Sequence, residues 1–168
     1  MKHTILSFCL LLVVCASTAQ TKYSKITSET ERVTKEYIKN YFDFNFDKLK
    51  EYMHDSITFQ DPTAKFVFAG KLVEGKEALY KFFTNNYASI NSSEVEIQRE
   101  IISSGVGIYE INLTWSFAND NPKKEIVIEK MPMVIVLATK DGKVIQHRDY
   151  GDYKVFIQQY ENQLKTEG

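Results

Sequence analysis

The chain has 168 residues, with 21 Lys and Arg against 22 Asp and Glu and a formal net charge of −1. That length holds one domain with a sizeable core, and the absence of any block of like charge excludes nucleic acid and an anionic membrane as natural partners. The aromatic content, 10 Tyr, 11 Phe and 1 Trp, suits either a thick core or an aromatic-lined cavity.

The first 19 residues form a separate object. Lys2 and His3 precede an apolar run from Ile5 to Val14, and the small residues Ala16-Ser17-Thr18-Ala19 follow. This is the order of a secretory signal peptide, with Ser17 and Ala19 at the −3 and −1 cleavage positions. The apolar run, about ten residues, is too short to cross roughly 30 Å of hydrocarbon. Lipid attachment at Cys15 is the weaker reading, because Val14 stands where that pattern wants a small residue. The expectation is an exported chain, periplasmic or secreted, cleaved near Ala19, with an extension over 20–28 and one domain over 29–164. Loss of Lys2 would take the net charge to −2, and both cysteines, Cys9 and Cys15, would leave with the leader. An exported domain of about 149 residues without disulfides relies on its core.

Ser28-Glu29-Thr30-Glu31 reads as a capping box that opens a helix, with Val33, Tyr37 and Tyr41 on one stripe and Ile38 and Phe42 beside it. Asp43-Phe44-Asn45-Phe46 breaks that helix, and Asp47 is expected to cap a short second one through Leu49, Tyr52 and Met53. Ser56–Gln60 predicts a strand ended by Asp61-Pro62, since Pro has no ladder donor. Gly75 opens a third helix carrying Ala78, Leu79, Phe82, Phe83 and Tyr87.

From Glu94 the period becomes two. Val95, Ile97 and Ile101 alternate with polar residues, then Tyr109, Ile111, Leu113, Trp115 and Phe117 do the same. Asn119-Asp120-Asn121-Pro122 is a turn cluster. The next strand, Glu125–Ala138, is apolar on both faces from Met131, which predicts burial on both sides. Asp141-Gly142 suits a type I′ hairpin turn, where both central residues need positive φ. Simple alternation after it sets Ile145, His147 and Asp149 on one face, with Val144, Gln146, Arg148 and Tyr150 on the other. The last strand ends at Gly151, and Asp152 caps a C-terminal helix with Val155, Phe156 and Tyr160. Helices followed by long antiparallel strands make an α+β plan.

Asp141-Gly-Lys-Val, then His147 and Asp149 on one face, resembles the closing strand of SnoaL-like domains of the nuclear transport factor 2-like superfamily. The resemblance runs over roughly Glu29 to Tyr160. It implies a cone-shaped, strongly curved, mainly antiparallel sheet wrapped around N-terminal helices, a cystatin-type roll, and often a homodimer formed through the sheet. By analogy with SnoaL-like cyclases and limonene epoxide hydrolases, Asp149 would face the cavity as an acid or base, its pKa raised by burial. The bland alternative is an Asp149 that pairs locally or ends a strand. His147 stands where the motif often has a His, and as a lone His it also fits a structural role.

Phe59-Gln60-Asp61-Pro62 resembles the Asp-Pro step that carries the base of ketosteroid isomerases, and Tyr37 falls where those enzymes place an oxyanion-stabilising Tyr. The resemblance then breaks. No acid stands near Met133 or Val134 as a second oxyanion donor, Lys130-Met131-Pro132 replaces the hydrolases' Arg-x-Asp, and Phe59-Gln60-Asp61 replaces their Tyr-x-Asn. The alternative for Asp61 is a strand-ending carboxylate that accepts backbone N–H groups in a turn. Phe59, Trp115, Met131 and Tyr52, with Met133, are the candidate ligand-lining residues, although apolar residues in long strands are core more often than pocket. Glu129 and Lys130 alternate across their strand, and an ion pair with Arg148 is the ordinary reading. No metal-like spacing surrounds His147 and no cofactor motif occurs, so neither metal nor cofactor is expected.

Two function hypotheses follow. The first is a domain that binds a small apolar molecule, with the isomerase, lyase or hydrolase-type acid/base activity the resemblance implies. The second is a non-enzymatic dimeric interaction domain with a vestigial pocket. An open apolar cavity with a carboxylate in its wall favours the first, and a filled cone the second.

Overall fold

The computed structural model describes residues 2–68, 70, 72–118 and 125–165, with side chains from Gln20 onward except at Phe66. The side chains of residues 1–19 and the turn cluster at Asn119–Pro122 therefore lie outside the described residues. In chain order the elements are α1 (Lys2–Phe42), α2 (Phe46–Glu51), β1 (Met53–Gln60), β2 (Val73–Glu74) and α3 (Lys76–Asn86). They continue with β3 (Ile90–Ser103), β4 (Val106–Ala118), β5 (Glu125–Lys140), β6 (Lys143–Gly151) and α4 (Tyr153–Lys165).

The architecture is α+β, with one six-stranded sheet in the order β2-β1-β6-β5-β4-β3. Every pairing is antiparallel except β1 with β6. The buried stripe of α1, Val33, Tyr37 and Tyr41, packs into the hollow of the sheet against Tyr109, Ile111, Ile135 and Leu137. Leu79 and Phe83 of α3 close one side, and Phe156 of α4 closes one end.

Helix α1 does not begin at Ser28. Nothing from Thr21 to Ile26 breaks a helix, so the ladder runs through Ser28 and leaves no free N–H group there for a cap. Thr30 serves a different end. Its hydroxyl donates to the Ile26 carbonyl and accepts the Gly105 N–H at 3.0 Å, which ties α1 to the β3–β4 turn. The second helix is capped by Asn45, whose side chain accepts the Lys48 N–H at 3.3 Å. Asp47 sits two residues too late for that task, inside the first turn, and accepts the Tyr80 hydroxyl instead. Met53 belongs to β1, not α2. Gly75, at φ 90°, opens α3 as expected, although Ala78 is exposed.

Asp141 and Gly142 take φ of 50° and 70°, as a type I′ turn requires. The alternation after the turn slips once. Ala138 pairs with Gln146 and Thr139 with Val144, leaving Ile145 as the extra residue of a β-bulge. Val144, not Ile145, therefore joins His147 and Asp149 on the inner face. A second bulge at Glu129 and Lys130, the latter at φ 49°, exposes both residues. Lys130 pairs with Glu96 at 3.2 Å rather than with Arg148, because Arg148 lies opposite Val136, far along the strand.

Within one chain β5 buries a single face. Met131, Met133, Ile135 and Leu137 point inward, whereas Val134, Val136 and Ala138 are half-buried on the outer surface. Burial on both sides, expected from the sequence, is not completed by any described element.

Candidate functional site

The parallel pairing of β1 and β6 builds the site. Phe59 lies beside His147 and Gln60 beside Arg148, so one step further Asp61 comes alongside Asp149. Alternation aims Phe59, Asp61, His147 and Asp149 into the hollow. Both carboxylates are buried, Asp149 at 2% and Asp61 at 7% exposure. Both line a cavity of about 570 Å³ with Tyr41, Phe59, Tyr87, Trp115, Met131 and Tyr153 in its wall. Phe68, half exposed, stands at the edge of the same cavity.

The two carboxylates are held differently. Asp149 ends a relay of side chains. The His147 imidazole reaches Asp149 Oδ1 through Nε2 at 2.7 Å, and its Nδ1 lies 3.1 Å from the Tyr37 hydroxyl. On the other side Tyr41 donates to Asp149 Oδ2 at 3.1 Å, and the Tyr41 and Tyr87 hydroxyls are 2.6 Å apart. Tyr41 has one proton and gives it to Asp149, so Tyr87 must donate to Tyr41. If Tyr37 donates to Nδ1, His147 Nε2 carries the proton toward Asp149, and all donors converge on one carboxylate. Each Asp149 oxygen then keeps a lone pair for a proton on a bound molecule.

Asp61 is saturated. Its Oδ1 accepts the Thr63 N–H at 2.9 Å, the Thr63 hydroxyl at 2.6 Å and the Ala64 N–H at 2.9 Å. Its Oδ2 accepts the Tyr153 hydroxyl at 2.5 Å. These are the bonds of an Asx turn that starts the short 3-10 turn Ala64–Phe66, so the turn reading of Asp61 describes its bonding. Thr63 also accepts the Gly151 N–H at 2.9 Å, which pins the loop to the end of β6.

Burial shapes the hydroxyls around both acids. Desolvation, followed by the charge of Asp149, pushes the phenols of Tyr37, Tyr41 and Tyr87 well above the ordinary tyrosine range. Tyr153 is raised by desolvation and then by its hydrogen bond to Asp61. These groups act as fixed donors, not as acids or bases.

Of the sequence-chosen residues, the structure brings Asp149, Asp61, Phe59, Trp115 and Met131 to the cavity wall. His147 and Tyr37, fully buried, lie behind Asp149 and support it from within the core. His147 is caged edge-on by Tyr37, Tyr41 and Phe59, the bonded interior position of a structural histidine. Tyr52 is off the cavity. It ends α2, and its carbonyl accepts the Val144 N–H at 2.8 Å, because β1 turns away from the hollow at that end.

The sequence reading missed Tyr41, Tyr87 and Tyr153 as site residues. Tyr41 was legible, since it stands four residues after Tyr37 on the same inward stripe. Tyr87 and Tyr153 lie at element ends, where only the fold shows what they meet. Among the described residues no cluster of three His, Cys, Asp or Glu side chains is placed to hold a metal ion.

No family model matches the chain, and no curated protein matches it. Solved structures do. A protein named as a SnoaL-like polyketide cyclase from Shewanella denitrificans superposes with TM-score 0.69 at 17% identity, covering 79% of this chain and 97% of its own. An LEH-like epoxide hydrolase of M. tuberculosis gives TM-score 0.64 at 15% identity over 82% of this chain and 93% of its own. A nuclear transport factor 2-like protein from Burkholderia xenovorans gives 0.60 at 12% identity over 80% and 97%. The cone of helices and curved sheet in this chain is thus the fold shared by SnoaL-like and nuclear transport factor 2-like proteins.

Proposed function

We propose that this domain binds a small apolar organic molecule in the cone cavity and that Asp149 exchanges a proton with it. The carrying observation is Asp149 itself, a buried carboxylate on an aromatic-walled cavity, braced by His147 and Tyr41 and still able to accept. Burying a carboxylate is costly, and a scaffold gains little by leaving its free lone pairs toward a cavity. Enolisation, elimination and epoxide opening all need such a group, and the fold is shared with proteins named as polyketide cyclases and epoxide hydrolases. A cavity of about 570 Å³ also supports the ligand reading over a vestigial pocket. Mass spectrometry of small molecules extracted from the purified protein tests it. A co-purified apolar compound, bound by wild type and D149N alike but converted only by wild type, is the expected result. An empty protein, or equal conversion by D149N, overturns it.

Export and self-association belong to the same proposal. Export rests on the leader grammar of residues 1–19, and secreted protein should begin near Gln20; a retained Met1 or a lipid on Cys15 would refute cleavage at Ala19. Self-association through the sheet is supported by an outer apolar stripe in which Ile101, Ile108 and Val136 pair in succession. Ile101 is 51% exposed. Sedimentation should give a dimer at micromolar concentration, and a monomer would argue against it.

A further inference from the structure

Three buried side-chain polar atoms have no hydrogen-bond partner among the described residues: Thr27 Oγ1, Ser93 Oγ and Trp115 Nε1. Two of the three, Ser93 and Trp115, line the cavity. They stand directly opposite each other on β3 and β4, so their side chains are neighbours on one face. Buried polar groups are nearly always bonded, and an orphan costs the full desolvation of the group. An indole N–H can only donate, so whatever completes it must bring an acceptor. The ring is held at its edge by Phe117 and Phe156, at centroid distances of 6.0 and 5.9 Å, which fixes where the N–H points.

We propose that Ser93 and Trp115 form a polar pole of the cavity, a pair of donors that holds the carbonyl-type oxygen of a neutral, elongated, otherwise apolar ligand whose other end lies at Asp149. The inference rests on reading the cavity as a ligand site. Neutrality follows from the wall, which among the described residues contains Asp61 and Asp149 but no Lys or Arg; a carboxylate or phosphate on the ligand would meet repulsion from these two acids. Elongation follows from the sheet register. Asp149 sits opposite Ile135 of β5, and Trp115 sits opposite Ile128. That separation is on the order of 20 Å along the strand, and shorter across the curve. Leu113, Met131 and Met133 form the apolar wall between the two ends, and Met side chains adapt to ligand shape.

Calorimetric titration with 4-phenylcyclohexanone and with phenylcyclohexane tests the pole, because the two probes share a shape and differ in the oxygen. Wild type is expected to bind the ketone more tightly. S93A and W115F should each weaken the ketone by about three- to tenfold and leave the hydrocarbon within about twofold. S93A exchanges a hydroxyl for hydrogen with little change in packing, so it carries the test alone if W115F fails to fold. The chain has 1 Trp, so indole emission reports the same contact independently and should shift only with the ketone. Equal weakening of both probes, or of neither, overturns the pole and leaves the cavity a binding site. Failure of wild type to bind either probe at millimolar concentration overturns the ligand reading and the pole together.

Discussion

Asp149 and Asp61 lie side by side on neighbouring strands, share a cavity and are both buried, yet they are different kinds of group. Asp61 spends its bonds on the main chain and hydroxyl of its own turn and on Tyr153. Among the described residues the Asp149 carboxylate is hydrogen-bonded only by side chains, drawn from α1 and from its own strand. A carboxylate that holds backbone in place makes a fold, whereas one braced by side chains is free to serve a ligand. Burial alone does not separate the two; the identity of the donors does.

Removing each acid is the strongest way to break that comparison. D61A strands the Thr63 and Ala64 N–H groups and the Tyr153 hydroxyl, and should cost about 2–4 kcal/mol in urea unfolding. D149N should leave stability within about 1–2 kcal/mol yet lower turnover of the co-purified compound about 10²–10⁴-fold. If D149N were the more destabilising variant, the division of labour would be reversed.

Y37F sharpens the relay. It leaves His147 Nδ1 buried without its partner, at a cost of about 1–3 kcal/mol, and should lower turnover without lowering ligand affinity, since Tyr37 does not reach the cavity. Alkaline pH probes the phenols. Tyr37, Tyr41, Tyr87 and Tyr153 hold their protons more tightly folded than unfolded, so their contribution is complete below about pH 10 and is lost as pH rises further. Tyr109, pushed up to about 12 mainly by desolvation, follows the same sign between about pH 10 and 12. Absorbance at 295 nm should show these rings titrating only with unfolding. The smallest effect is Y52F, within about 0.5 kcal/mol and without influence on binding, because that ring is off the cavity.

How much of this was legible in the sequence depended on how local the cause was. The Asp141-Gly142 turn and the Asp152 cap were readable because a few adjacent residues determine them. Ser28 misled because a capping box has meaning only where a helix actually starts. The inner face of β6 was read one residue out at its beginning, since the bulge at Ile145 depends on β5 rather than on β6 alone. Asp61 and Asp149 were both found by type and position. The turn bonds of Asp61 were readable because their donors, Thr63 and Ala64, are local; its bond to Tyr153 was not, because that residue lies 92 residues away in sequence and meets it only in the fold.

The parallel seam between β1 and β6 also sets an order in time. Phe59 must find His147, so the cavity wall closes only when nearly the whole domain is available to pair. Such non-local contacts slow folding toward the millisecond-to-second range, because loop-closure entropy comes before the reward of the contact. Until β6 arrives, β1 carries an open ladder edge, and β2, only Val73 and Glu74, covers little of its other side. The segment that assembles the site is therefore also the one that leaves the nascent chain most exposed to wrong pairing.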